Sequence, residues 1–75
     1  MEYTILIHQA EEGGFWSEVP ALPGCYSQGE TIDETLHNTK EAIESHLIAL
    51  KEDRLEAPIE ESLFIGKVRV DVADL

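Results

Sequence analysis

The stretch that decides the fold runs Thr31-Ile32-Asp33-Glu34-Thr35-Leu36-His37-Asn38-Thr39-Lys40-Glu41-Ala42-Ile43-Glu44-Ser45-His46-Leu47-Ile48-Ala49-Leu50-Lys51-Glu52-Asp53-Arg54. Thr31 suits an N-cap, where a side-chain oxygen accepts a backbone N–H that has no partner inside the helix. Glu34, three residues on, completes a capping box by reaching back. Asp33 and Glu34 suit the positive end of the helix dipole, and Lys51 and Arg54 suit the negative end. Between these ends Leu36, Thr39, Ile43, Leu47 and Leu50 recur at spacings of three and four, the signature of one inward face. Roughly twenty helical residues reach about 30 Å, enough to cover one side of a small sheet.

Upstream of the helix the period falls to two. Tyr3 to Ile7 predicts a first strand, Glu11-Glu12-Gly13-Gly14 a hairpin turn, and Phe15 to Val19 a second strand. In that second strand Phe15, Ser17 and Val19 share one face, while Trp16 and Glu18 share the other. Pro20-Ala21-Leu22-Pro23-Gly24 interrupts the pattern, because neither proline has an N–H to give a ladder and Gly24 turns without a Cβ clash. Cys25 to Gln28 predicts a short third strand, and Gly29 relieves the chain just before the N-cap. Downstream, Asp53 to Ser62 is a polar connector containing Pro58. Leu63 to Val72 predicts a last strand, with Phe64, Val68, Val70 and Val72 on one face and Lys67 and Arg69 on the other.

The predicted order is therefore β-β-β-α-β: an α+β fold with a four-stranded sheet and one long helix on one face. The helix returns the chain, so the fourth strand is expected parallel to the first and third, through a right-handed crossover. One helix covers only one face of such a sheet. The second face must be polar or be covered by another chain, and alternation assigns Trp16 to it.

Charge bounds the function. Five Lys and Arg stand against sixteen Asp and Glu in 75 residues, a formal net charge of −11. That field repels a phosphate backbone, so direct nucleic-acid binding is not expected. The same field speeds encounter with a basic protein, although solubility alone also accounts for an acidic surface. A chain of this length, 43% hydrophobic, is expected to form a single domain over residues 1–75. The lone Cys25 cannot form an internal disulfide, which fits a reducing compartment. Met1-Glu2-Tyr3-Thr4 lacks the basic start of a signal peptide, and no apolar run approaches the ~20 residues of a membrane span. The expectation is a cytoplasmic protein with no membrane partner.

Catalytic readings find little support. Two-metal phosphoryl chemistry needs convergent carboxylates, and the first strand carries no acid. Cys25 with His8, His37 or His46 has no spacing that requires a nucleophilic pair, and Cys25 in a strand reads as a small buried apolar residue. His37 and His46 lie nine apart rather than at the i, i+4 spacing of a helical metal site. No catalytic residue, cofactor or metal is expected, and the chain reads as a binding protein rather than an enzyme. Its structural motif comprises Pro20, Pro23, Gly24, Gly29, Thr31 and Glu34. Its candidate partner-binding residues are Trp16 on the second face and Leu22 and Tyr26 around the rigid loop.

The arrangement Phe15-Trp16-x-Glu18-Val19-Pro20-x-Leu22-Pro23-Gly24-Cys25, followed by Ser27-Gln28-Gly29-Glu30-Thr31, Glu34 and Glu41-Ala42-Ile43, resembles the HicB family of antitoxins. The resemblance runs from Tyr3 to Pro58. It implies a partial RNase H-like fold and a domain that neutralises HicA, a small basic ribonuclease, by occluding its active site. Typical family members also carry a C-terminal DNA-binding domain, for which the chain is expected to have no room. Glu60 stands where the family's usual second proline falls, which implies a different path for the connector. A homodimer is the default expectation for the half-covered sheet. The competing expectation is a stand-alone homo-oligomeric relative with no toxin.

Overall fold

Three antiparallel strands and one helix make up the regular structure of residues 1–73, the part described by the computed structural model. They are β1 (Leu6–Gln9), β2 (Phe15–Glu18), β3 (Tyr26–Gly29) and α1 (Ile32–Glu52). The sheet order is β1-β2-β3, with Ile7 opposite Ser17 and Ser17 opposite Ser27. The first strand starts later than its alternation predicts, because pairing begins where Leu6 meets Glu18, just before Pro20 ends the donor row of β2.

The helix begins as its sequence dictates. Thr31 is extended, and its hydroxyl accepts the Glu34 N–H at 3.0 Å. Glu34 reaches back one residue further than a capping box requires, accepting the Glu30 N–H at 3.1 Å. The inward stripe keeps the expected phase at Thr39, Ile43 and Leu47 and differs at its start, where Thr35 rather than Leu36 is turned inward. Thr35 and Thr39 are fully buried, Ala42, Ile43 and Leu47 pack against the core, and Leu36 is 41% exposed. Hydroxyls decide this phase. Thr39 Oγ1 donates to the Thr35 carbonyl, so its one proton is used and the Ser17 hydroxyl is left to donate to Thr39 Oγ1 at 2.6 Å. Thr35 Oγ1 donates to the Thr31 carbonyl at 2.7 Å. A leucine in either position would hold the helix away from β2.

Contact is closest at Gly29, where a Cβ would lie 2.7 Å from the Thr35 backbone nitrogen. The glycine is needed for approach rather than for flexibility.

Val19, Leu22 and Cys25 form the buried apolar core, with Tyr3, Ile5 and the helix residues packed around it. Leu22 sits there because the segment after β2 closes on itself. The Leu22 N–H bonds to the Val19 carbonyl at 2.9 Å, and the Cys25 N–H bonds to the Leu22 carbonyl at 3.0 Å. Gly24 makes that reversal with φ at 88°, a conformation L side chains rarely adopt.

The four-stranded arrangement is not formed within one chain. Among the described residues none after Glu52 belongs to a helix or strand, and the expected strand Leu63–Val72 has no ladder neighbour. Its connector is pinned elsewhere. Tyr3 Oη donates to the Pro58 carbonyl at 2.5 Å, and the Glu60 carboxylate accepts both the Thr4 N–H and, at 2.9 Å, the Thr4 hydroxyl. Beyond this crossing the chain is exposed at every position through Ala73. The RNase H-like element that the resemblance implies is accordingly not seen inside a single chain.

Two substitutions test this account. Gly29→Ala forces Thr35 and its helix off the sheet and is expected to lower unfolding stability by about 1–3 kcal/mol in urea melts. Arg54, just past the helix, has φ at 58°, with the Leu55 N–H bonded to the Leu50 carbonyl at 2.8 Å. That is a left-handed helix stop occupied by a side chain that disfavours it. Arg54→Gly is expected to raise stability by up to about 1 kcal/mol in the same melts.

Candidate functional site

The helix covers the face that carries Ile7, Phe15, Ser17 and Ser27, so the even-numbered partners point the other way. The register brings His8 opposite Trp16 and Trp16 opposite Gln28, and places Glu18 between Leu6 and Tyr26. Three rings gather on the open face as one aromatic tier, His8 directly opposite Trp16 and Tyr26 one row along, opposite Glu18. His8 and Trp16 stack with centroids 4.2 Å apart at 20°, and Trp16 and Tyr26 meet at 6.4 Å with a 50° tilt. The His8 Nε2–H donates to Glu18 Oε2 at 2.7 Å, which fixes the imidazole plane against the indole. Trp16 is 36% exposed and Tyr26 is 62% exposed, so the tier offers its outer surface to solvent.

Trp16 and Tyr26, singled out from the sequence, therefore lie side by side on the uncovered face. Leu22 does not join them. It is fully buried with Val19 and Cys25, because the turn expected to present it outward sends its side chain into the core, where a partner cannot reach it. Pro20, Pro23 and Gly24 frame that turn from outside, all exposed. Gly29, Thr31 and Glu34 seat the helix on β3 and act on the site only through the sheet. His8 and Glu18 complete the face. Their signal was the cross-strand register, which places His8 directly opposite Trp16 once the Gly13-Gly14 turn is aligned.

Chemically the tier is a flat, partly apolar platform with a carboxylate at its centre. Ring faces of Trp and Tyr attract guanidinium and ammonium groups, and Glu18 adds a charge for such groups to meet. Cys25 offers no comparable chemistry. It is buried, and desolvation raises its thiol above the ordinary range, which suppresses the reactive thiolate. Among the described residues no group of three or more His, Cys, Asp or Glu is gathered closely enough to hold a metal ion. In the same residues no helix is long and apolar enough to cross a membrane.

Comparison with known proteins gives this surface its context. The profile of the HicB-like antitoxin of bacterial toxin–antitoxin systems matches residues 3–72. A UPF0150 protein of Synechocystis is 46% identical over 71 residues, covering 95% of this chain and 94% of its own. A UPF0150 protein of Thermoplasma acidophilum is 45% identical over 58 residues, covering 77% of this chain and 84% of its own. In structure the chain is similar to the N-terminal domain of the Burkholderia pseudomallei antitoxin HicB, with a TM-score of 0.67 and 35% identity over 91% of this chain and 74% of that one. A match that spans nearly the whole sequence, together with the shared arrangement of sheet and helix, places this chain in the HicB-like antitoxin family of bacterial toxin–antitoxin systems.

Proposed function

We propose that this protein neutralises a small, basic ribonuclease toxin of the HicA type by laying the open face of its sheet over the toxin and occluding the active site. The observation that carries this reading is the tier of His8, Trp16 and Tyr26 around Glu18, uncovered on the side opposite the helix. Aromatic side chains in that position are the usual anchors of a protein interface. The net charge of −11 supports a cationic partner, because a like-charged one would be repelled at every approach. The same field disfavours DNA contact by these residues.

A homodimer belongs to this reading, since the half-covered sheet leaves apolar residues outside the fold. The alternative role, a homo-oligomer with no toxin, is favoured by one observation of its own: the exposed apolar residues after Leu63. The neighbouring reading frame separates the two. A short basic frame beside this one supports neutralisation, and co-expression with it then rescues growth.

Two measurements on the purified pair follow. Trp16→Ala is expected to weaken toxin binding by more than about 1 kcal/mol in a calorimetric titration, with the circular dichroism of the fold unchanged. Ile48→Ala, on the outer side of the helix, is the control and leaves affinity as it was. Unchanged affinity in the Trp16 variant removes the open face from the interface. In stopped-flow mixing the association rate is expected to fall steeply as salt rises, because exposed charges are screened beyond roughly 8–10 Å near physiological ionic strength. A rate indifferent to salt would count against electrostatic capture of a basic toxin.

A further inference from the structure

We propose that residues 63–72 of each chain add as a fourth strand to the outer edge of β1 in a second copy, so that two chains complete one another's sheets by reciprocal exchange. This rests on the homodimer reading and is independent of the toxin.

The donated segment has the pattern of a strand without a sheet. Phe64, Val68, Val70 and Val72 alternate with Ile65, Lys67, Arg69 and Asp71, giving one apolar row and one largely charged row. In the single chain Phe64 is 89% exposed and Val68 is 86% exposed. The whole molecule is correspondingly open. Its radius of gyration is 15.5 Å, against about 11 Å for a compact chain of this length. Its surface is 6477 Å², roughly 1,900 Å² more than a compact monomer of this mass exposes. A stable interface buries about 1,200–2,000 Å² in total, so each copy carries enough uncovered area to contribute to one.

The receiving edge follows from the ladder. The Ala10 N–H bonds to the Gly14 carbonyl at 3.0 Å, so by alternation Leu6 and His8 turn their backbone groups toward β2, and Ile7 and Gln9 turn theirs outward. The opposite edge is already engaged. The outward carbonyl of Gln28 on β3 accepts Asn38 Nδ2 at 2.8 Å, from the helix that lies against it. β1 is thus the edge left for an added strand.

Charge selects a second copy as the occupant. Residues 1–62 hold fourteen acids and three bases, whereas Leu63 to Val72 holds Lys67 and Arg69 against Asp71 alone. The tail is the one basic strip of an acidic molecule. On β1 of another copy, its valines would continue the row of Ile7 beneath the helix, and Lys67 and Arg69 would stand on the open face near Glu18. Its own β1 is reached less directly. The connector is held across Tyr3 and Thr4 by Pro58 and Glu60, and the tail leaves the sheet from there.

The test uses the full chain. Light scattering on the wild type is expected to give two copies or an even multiple. The double variant Val68→Asp with Val70→Asp is expected to give one copy, with helix and sheet circular dichroism retained, since those residues support nothing within their own chain. In a mixture of unlabelled and heavy-nitrogen-labelled wild type, carbodiimide coupling is expected to join Lys67 of one copy to Glu2, Glu11, Glu12 or Glu18 of the other. A wild type that stays single at millimolar concentration overturns both the homodimer and the exchange. An even-numbered assembly that survives the double variant overturns the exchange and keeps the homodimer. Lys67 couplings confined to one copy, or running only to Asp71 of the other tail, also overturn it.

Discussion

The contact of α1 with β2 through hydroxyls sets the terms for the rest of the molecule. Ser17, Thr39 and Thr35 bond in series across the interface, each donor with an acceptor. Among the described residues no buried side-chain nitrogen or oxygen lacks a partner. The arrangement is specific as well as tight. Sliding the helix by one residue would replace a hydroxyl with Leu36 or Lys40 and strand the Ser17 proton in a dry place, at about 1–3 kcal/mol. Gly29 serves the same approach one strand over, where its missing Cβ makes room for the Thr35 backbone.

Such an interface stabilises less than an apolar one. A hydroxyl bond contributes about 0.5–1.5 kcal/mol net, where a fully buried Leu or Val contributes about 1.5–3 kcal/mol. Among the described residues only Val19, Leu22 and Cys25 are buried apolar side chains, so the core is thin. The chain's larger apolar residues lie elsewhere: Trp16 and Tyr26 on the open face, and Phe64, Val68, Val70 and Val72 beyond the helix. That distribution is what a binding protein requires. Side chains able to bury area on association are kept out of the fold, while short polar ones hold the fold in register.

The same choice explains which parts of the structure were legible in the sequence. The helix limits followed from Thr31, Glu34 and Lys51, because capping is local chemistry. Trp16 on the second face followed from alternation alone. The helix face followed from its spacing at Thr39, Ile43 and Leu47, but not at its first turn, where Leu36 was the apolar choice and Thr35 is the buried residue. Leu22 misled in the opposite sense: a loop flanked by two prolines reads as surface, and only the hydrogen bonds of the closed turn send its side chain inward. His8 and Glu18 needed the register, which a hairpin turn fixes and composition does not reveal. The alternation of the tail was readable as a strand, but a pattern of side chains specifies a face and not the chain that supplies its neighbour.

The two surfaces left open are geometrically independent. A strand adds to β1 along the hydrogen-bonding direction, in the plane of the sheet, whereas a partner on Trp16 and Tyr26 approaches perpendicular to that plane. Occupying one does not block the other. In the proposed dimer the added strand would widen the open face instead of covering it, and would set Lys67 and Arg69 at the border of the aromatic platform. A cationic toxin would meet those two charges at the edge and Glu18 at the centre, so it would be drawn inward toward the aromatic tier. Charge pattern and sheet geometry would then serve one end, with the basic tail closing the sheet while the aromatic face stays available.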